Sequence, residues 1–399
     1  MLLLFTAISF TYYILNTYSS VYYKDEQGRN VEVDDKEVTI AIPVYNENVE
    51  TFRNVVSAVS GQGVKFVVLG DSSNEPYRTI TEENGGTFVL SEERGGKRKA
   101  LSLLLNHVDT EYVMFVDSDT VIPAGAVKSM LSLMEEDVGG VGTNIAVRSN
   151  KTGVSYSAEF LERAREVVFR AMSAHGNVMV LDGRCALYRT SLVKPLIQSG
   201  SFVSNKVMGR KSVMGDDRQI TSYITKTGYR AIKDYRVTVF TDPPQDYKKF
   251  VKQQIRWSRV GWTHFFKEIF NGTARKAGAF YTFEMVYMYL LPVLVVLLAI
   301  FRLYLEFAVH RRVALDALTQ IEDLLLLRAT HYAYTEFARA ILLMLNVAGN
   351  VIFLGAIAAK INKERIKTIA FGSIALGIMF ATTLYGLITF WKQKSWMTR

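Results

Sequence analysis

The 399-residue chain carries 47 Lys and Arg against 38 Asp and Glu, a net charge of +9, and 49% of its residues are hydrophobic. That is more chain than one small domain needs and more apolar residue than a disordered segment contains, while a single cysteine, Cys185, excludes an intrachain disulfide and fits a reducing compartment. The basic excess does not point to nucleic acid, because Lys248, Lys249, Lys252, Arg256 and Arg259, and then Lys360, Lys363, Arg365 and Lys367, sit beside apolar runs, as the positive-inside bias of membrane proteins requires.

The chain opens with the apolar run 2–15. No basic residue precedes it and no small-x-small cleavage site follows, so a membrane anchor over 1–21 is favoured over a signal peptide. From 22 to 245 no stretch is apolar enough to span a bilayer, and the alternation of strand-like and helix-like segments reads as one soluble domain. The first strand, Val38–Val44, is nearly continuous in apolar residues, as in a parallel sheet buried on both faces. It ends at Tyr45-Asn46-Glu47 before a helix at 50–60. A second strand at 64–69 stops at Gly70-Asp71-Ser72-Ser73-Asn74, a turn-rich cluster followed by another helix. A third at 87–90 leads through Arg94-Gly95-Gly96-Lys97-Arg98-Lys99 into a helix at 100–107, and a fourth, Tyr112–Val116, ends in Asp117-Ser118-Asp119. This βαβαβαβ run implies a doubly wound, mostly parallel sheet.

Ligands of such sheets bind beyond the carboxyl ends of the strands, so Tyr45, Asp71 and the Asp117/Asp119 pair are expected to converge on one crevice. Two hard carboxylates there suit Mg2+ or Mn2+, whose remaining ligands come from phosphate and water. Gly95-Gly96-Lys97 is too short for a P-loop; it is either a solvated basic loop or a source of backbone donors and an ammonium for a diphosphate. His107, His175 and His264 are scattered and read as structural or solvated.

A helix at 155–173 and a strand-like 178–181 lead to Asp182-Gly183-Arg184, and Gly215-Asp216-Asp217-Arg218 opens a helix over 216–228. Paired carboxylates at a helix start cap it and complement its dipole; yet a cap needs only one, and a displacement at a sugar's anomeric carbon needs a base for the incoming hydroxyl. Residues 246–279 then carry Gln253-Gln254-Ile255-Arg256-Trp257, within an amphipathic pattern over 251–270 that reads as an interfacial helix or an ordinary core helix. A guanidinium can fork onto a phosphate, and the adjacent indole offers a flat face on which sugars stack.

The remainder, 280–399, is a membrane region. Residues 340–359 and 368–391 are uncharged and long enough to cross a hydrocarbon core of roughly 30 Å, and 285–301 with its flanks makes a third span despite Pro292. The segment 306–336 holds Arg311, Arg312, Asp316, Glu322, Asp323 and Arg328 and reads as interfacial. With the 360–367 loop cytoplasmic, counting spans back makes the soluble domain cytoplasmic, in a multi-pass protein of the plasma membrane, and the sequons at Asn150 and Asn271 unglycosylated.

Taken in chain order, Pro43-Val44-Tyr45-Asn46-Glu47, Gly96-Lys97-Arg98-Lys99-Ala100, Asp117-Ser118-Asp119, Gly215-Asp216-Asp217-Arg218 and Gln253-Gln254-Ile255-Arg256-Trp257-Ser258 resemble the membrane-embedded family-2 glycosyltransferases, above all the hyaluronan, chitin and nodulation chitooligosaccharide synthases. The resemblance covers about residues 38–266. It implies an α/β GT-A fold, a UDP-sugar donor, inversion at the anomeric carbon and extension and export of a polysaccharide. By position it puts Tyr45 and Glu47 at the nucleotide base, Asp71 on the uridine, Lys97 near the diphosphate, Asp117 on the nucleotide and Asp119 on the metal. Asp217 would be the general base supported by Asp216, Gln253 and Arg256 would meet the diphosphate, and Trp257 would stack on the acceptor sugar.

One departure bears on the acceptor. Hyaluronan synthases carry Ser-Gly-Pro-Leu where this chain has Asp182-Gly183-Arg184-Cys185, so Arg184 joins Trp257 as an acceptor contact and the polymer is left open. The membrane region is small for a secretion channel, which a homo-oligomer could complete. The alternative is transfer of a single sugar to a membrane lipid, as in ceramide glucosyltransferases.

Overall fold

A computed structural model describes residues 2–23, 28, 37–316 and 325–394. Helix α1 (Leu2–Tyr22) precedes the sheet domain. That domain begins with β1 (Val38–Val44), α2 (Val49–Ser60), β2 (Lys65–Asp71), α3 (Tyr77–Glu83), β3 (Thr87–Ser91), α4 (Lys97–Leu104) and β4 (Tyr112–Val116). These strands and helices fall within a few residues of the sequence pattern, and β1 to β4 are mutually parallel, in the order β3-β2-β1-β4. Alternation along β1 explains why both sheet faces are covered. Ile40 and Ile42 enter a core with Phe52, Val55, Val56 and Val59 of α2, while Ala41 faces Leu101 and Leu104 of α4 on the other side.

Past β4 come α5 (Ala126–Leu131), β5 (Val138–Val147), α6 (Gly153–Ala174), β6 (Cys185–Arg189), α7 (Thr190–Ile197), α8 (Gly200–Val203), the short hairpin β7 (Lys206–Val207) and β8 (Arg210–Lys211), α9 (Asp216–Lys226) and β9 (Arg230–Thr241). Three of these extend the sheet to seven strands in the order β3-β2-β1-β4-β6-β5-β9, with β6 antiparallel to both neighbours. Reversal of β6 has a functional consequence: its first residue, Cys185, pairs with Val116 at the last residue of β4, so the loop ahead of it, Asp182-Gly183-Arg184, opens at the same edge as Asp117. The ladder continues there, since Asp117 N donates to Arg184 O at 2.9 Å.

The strand expected at 178–181 is not one. Val178, Met179 and Leu181 are apolar because they plug the core beneath α9, and their backbone forms no ladder: Val178 N makes one bond to Ala231 O at the start of β9, at 2.8 Å, and Leu181 N donates to a side chain, Thr221 Oγ1, at 2.9 Å.

Helix α10 (Tyr247–Phe270) and the short α11 (Thr273–Ala277) lead into α12 (Ala279–Asp316), α13 (Leu325–Lys360) and α14 (Arg365–Leu387). Among the described residues three segments are long and apolar enough to cross a membrane, Ala279–Phe307, Leu343–Lys360 and Arg365–Leu387. Their large apolar side chains, Leu297, Ile300, Phe301, Val351 and Ile374 among them, are exposed on the helix surfaces, which suits lipid contact. Of the segment 306–336 expected at the interface, residues 317–324 lie outside the described residues; its flanks continue α12 and α13. Helix α1 packs against these helices, with Tyr12 stacked on Tyr287 at 3.6 Å and Asn16 Nδ2 donating to Glu284 Oε1 at 2.6 Å.

The sheet domain and the helices share one core. The face of the sheet covered by α4 and α9 runs through Trp262 and Phe265 of α10 to Tyr281 and Met285 of α12. On α6, Phe160 packs against Gly372 of α14 so closely that a Cβ there would meet its ring at 2.5 Å, and Glycine is required at that crossing.

Candidate active site

The strand ends, the Asp182 loop, the start of α9 and one face of α10 enclose a cavity of about 260 Å³. Of the residues singled out in the sequence, Lys97, Asp117, Arg184, Asp216, Asp217, Arg256 and Trp257 line it. Tyr45, Glu47, Asp71 and Asp119 do not; they lie on the adjoining strand ends, and Gln253 lines a small recess behind Trp257 together with Arg184 and Asp242.

Each carboxylate has a separate environment. Asp71 is buried at the end of β2, and its two oxygens accept from Gly95 N at 2.6 Å and Gly96 N at 2.8 Å. Its visible work is therefore to fold the glycine loop back over the sheet, which delivers Lys97 at the first turn of α4. Gly96, at φ +80°, takes the left-handed turn this requires. Glu47 accepts from Ser118 Oγ at 3.1 Å, tying the end of β1 to the middle of Asp117-Ser118-Asp119, and Arg94 lies over the Tyr45 ring at 3.8 Å.

Lys97 is the hub. Its Nζ lies 2.5 Å from Asp117 Oδ1, 3.6 Å from Asp216 Oδ2 and 3.4 Å from Gly183 O. Burial pushes the Asp117 carboxyl up, and Lys97 only partly offsets this. The adjacent aspartates of α9 diverge. Burial raises both, but Lys97 and Arg98 outweigh it at Asp216 and hold that carboxyl below its usual range, whereas burial together with the charges of Asp216 and Asp182 pushes Asp217 up to about 6. Two carboxyls driven apart by their surroundings are the mark of a base beside a permanent anion. Both sit in the first turn of α9, where the helix dipole favours negative charge.

The Trp257 side of the cavity contains more charge than the sequence suggested. Asp182 meets Lys233 Nζ at 2.8 Å, Arg184 Nη1 at 3.3 Å and Arg165 Nη1 at 3.7 Å. Arg165 also lies over the Trp257 ring at 4.5 Å. Asp182 therefore organises two guanidiniums beside the indole. Lys233 in β9 and Arg165 in α6 carried no motif, and only the topology reveals their approach. Val260, Met288 and Tyr289 also line the cavity, the last two on the first candidate span.

A metal here would draw on Asp117 and Asp119. Among the described residues no three His, Cys, Asp or Glu side chains come together as a cage. The donor set is thus two carboxylates at most, Asp119 being exposed at the rim, and this fits Mg2+ or Mn2+ completed by phosphate and water.

The family described as "Glycosyltransferase like family 2" matches residues 36–259, more than half of the chain, and the chain belongs to that family. Within it, the chain is 28% identical over 236 residues to an N-acetylglucosaminyltransferase of Azorhizobium caulinodans, covering 56% of this chain and 59% of the relative. It is 27% identical over 287 residues to the hyaluronan synthase of Streptococcus pyogenes serotype M1, covering 66% and 65%. The matched part spans about half to two thirds of the length of these curated relatives. Among solved structures, the mannosyltransferase PcManGT from Pyrobaculum calidifontis, in complex with GDP-Man and Mn2+, superposes with a TM-score of 0.57 at 18% identity over 99% of both chains, which shows a shared GT-A-like fold.

Proposed function

We propose that the chain is an inverting, metal-dependent glycosyltransferase that moves a sugar from a UDP-sugar to a growing glycan at the cytoplasmic membrane surface. The observation that carries the reading is the Asp216/Asp217 pair, one carboxyl held down and the other pushed up to about 6, in a cavity shared with Arg256 and Trp257 and ending on a candidate span.

In this reading the nucleotide lies along the strand ends at Tyr45, Glu47 and Asp71, and the reacting sugars occupy the cavity beside Asp217 and Trp257. The acceptor sugar rests on Trp257 with Arg165 and Arg184 at its edge. Asp217 takes the proton of the acceptor hydroxyl as its oxygen bonds to the anomeric carbon from the face opposite the diphosphate. The bond from that carbon to the phosphate oxygen breaks, and the electron pair leaves with the nucleoside diphosphate, whose charge Lys97 and Arg256 offset. Asp216 stays ionised and keeps Lys97 in place. Asp119 and Asp117 would hold a divalent cation, which when bound would offset further charge on the diphosphate. Chelation of the purified protein is expected to abolish nucleoside diphosphate release, and added Mn2+ or Mg2+ to restore it; full activity in excess chelator removes the role given to Asp119.

A second reading, transfer of one sugar to a membrane lipid, is favoured by Val260, Met288 and Tyr289 in the cavity wall, the last two on a candidate span. Sizing the product made from labelled donors in defined lipid separates the two. A ladder of lengthening glycans supports extension, and one lipid-linked product overturns it.

A further inference from the structure

The Gly-Asp-Asp loop and the Arg-Trp helix are both gripped by one residue far from either motif. Gln393 follows α14 and is 2% exposed. Its Oε1 accepts from Ser212 Oγ at 2.8 Å, and its backbone O accepts from Val213 N at 3.0 Å, which fixes the segment running directly into Gly215-Asp216-Asp217. Its Nε2 donates to Thr263 Oγ1 at 2.8 Å and to Arg259 O at 3.3 Å, both on α10 within two turns of Arg256 and Trp257. The same tail takes Arg259 Nη1 on Lys392 O at 2.9 Å and Arg259 Nε on Thr389 Oγ1 at 3.1 Å.

The two gripped segments also touch each other. A Cβ on Gly215, at φ +69°, would meet Val260 Cγ1 at 2.6 Å, so a small shift of α10 displaces the turn that aims Asp216 and Asp217. On the other side α14 meets α10 one residue past Trp257: a Cβ on Gly386 would lie 2.0 Å from Ser258 Oγ, and Trp262 Nε1 donates to Thr383 O at 2.8 Å. A buried amide with every polar atom engaged is a rigid link, whereas a hydroxyl or methyl in its place could not bridge both segments.

We propose that Gln393 is a positioning residue for glycosyl transfer: the segment after the last candidate span acts as a strap that sets the carboxylates of α9 against Arg256 and Trp257 of α10. The strap makes turnover depend on how α14 is seated, and so couples the reacting groups to the membrane helices. The inference rests on the reading of Asp217 and Arg256 as reacting-site groups.

The experiment is a double-mutant cycle in the full-length protein in detergent, with Ser212→Ala and Gln393→Leu singly and together, reading kcat, the donor KM and the melting temperature. Gln393→Glu, which keeps the acceptor for Ser212 and removes the donors to α10, is the conservative variant. Each single change is expected to lower kcat about tenfold with the donor KM within about twofold, the double variant to be no worse than Gln393→Leu alone, and Gln393→Glu to recover part of the loss. Additive losses, losses that follow the melting temperature, or unchanged kcat in Ser212→Ala overturn the strap. Asp217→Asn in the same assay keeps the two readings apart: wild-type turnover there defeats the base assignment, while the cycle still reports whether Gln393 and Ser212 act as one unit.

Discussion

Asp217→Asn is expected to lower turnover by about 10³-fold, inside the range of about 10² to 10⁴ that a positioned acid or base contributes, while the donor KM changes little. The amide keeps the shape of the side chain and its hydrogen bond from Arg218 N, now 2.7 Å to Oδ1, so the loss isolates the proton acceptor. The pH dependence gives an independent reading. A base works unprotonated, so with the carboxyl pushed up to about 6, wild-type kcat/KM rises with pH through about 6 and levels above it. The variant lacks that limb. Stability moves the opposite way. A carboxyl whose folded value lies above the ordinary 3.8 favours the fold only while protonated, below about 4, and that contribution is lost as pH rises through about 6. At pH 7.5 the Asn variant therefore melts no lower than the wild type, and an inactive protein of undiminished stability is the expected result. Retained turnover, or a pH limb still present in the variant, would assign the proton elsewhere.

Local pattern sufficed for the first half of the sheet because strands β1, β2 and β4 are nearly unbroken apolar runs and each ends at a turn-rich or acidic cluster. The second half was not legible in the same way. Strand β5 begins Val-Gly-Gly-Val-Gly, a composition poor in strand formers, and β9 contains Arg230 and Lys233, which pair with Asp137 and Asp182 remote in sequence, and Asp234 and Arg236, which pair with each other. Conversely, Val178 to Leu181 had the composition of a strand but only the burial of one. The site divides similarly. Asp117, Asp216, Asp217, Arg256 and Trp257 were visible as motifs and do share a cavity. Arg165, Lys233 and Gln393 were not, because a lone Arg on α6 or a Gln in a basic tail acquires meaning only from the partner the fold brings to it. Asp182 was noticed solely as a departure from a related motif, and its three cations give that departure a physical content.

The arginine of Gly-Asp-Asp-Arg, by contrast, is structural, and its replacement should have the largest effect on stability. Arg218 Nη2 lies 2.9 Å from Glu268 Oε2 and Nη1 donates to Tyr281 OH at 3.1 Å, while Tyr281 OH donates to Glu268 Oε2 at 2.7 Å. Glu268 is fully buried and Arg218 nearly so. The three residues join α9, α10 and the root of α12, hence the helix of Asp216 and Asp217, the Arg-Trp helix and the first candidate span. Burial pushes the Glu268 carboxyl up, but Arg218 outweighs it and holds it at about 2. A depressed carboxyl contributes stability above its unfolded value near 4.5 that is lost as pH falls through about 2, so this link is intact at neutral pH. Arg218→Ala leaves that buried carboxylate without its guanidinium, beside only polar neighbours such as the Tyr281 hydroxyl and the His264 ring, and breaking such a pair costs about 3–5 kcal/mol. The melting temperature should fall by on the order of 10 °C. Removing both charges, as Arg218→Met with Glu268→Leu, should recover most of the loss, because paired burial offsets a desolvation cost that two well-packed apolar side chains never incur. Thermal unfolding of both single variants and the double variant in one detergent decides the matter. An unchanged melting temperature in Arg218→Ala, or a double variant as unstable as the sum of the singles, would mean that the link between α9 and α10 is carried by other contacts.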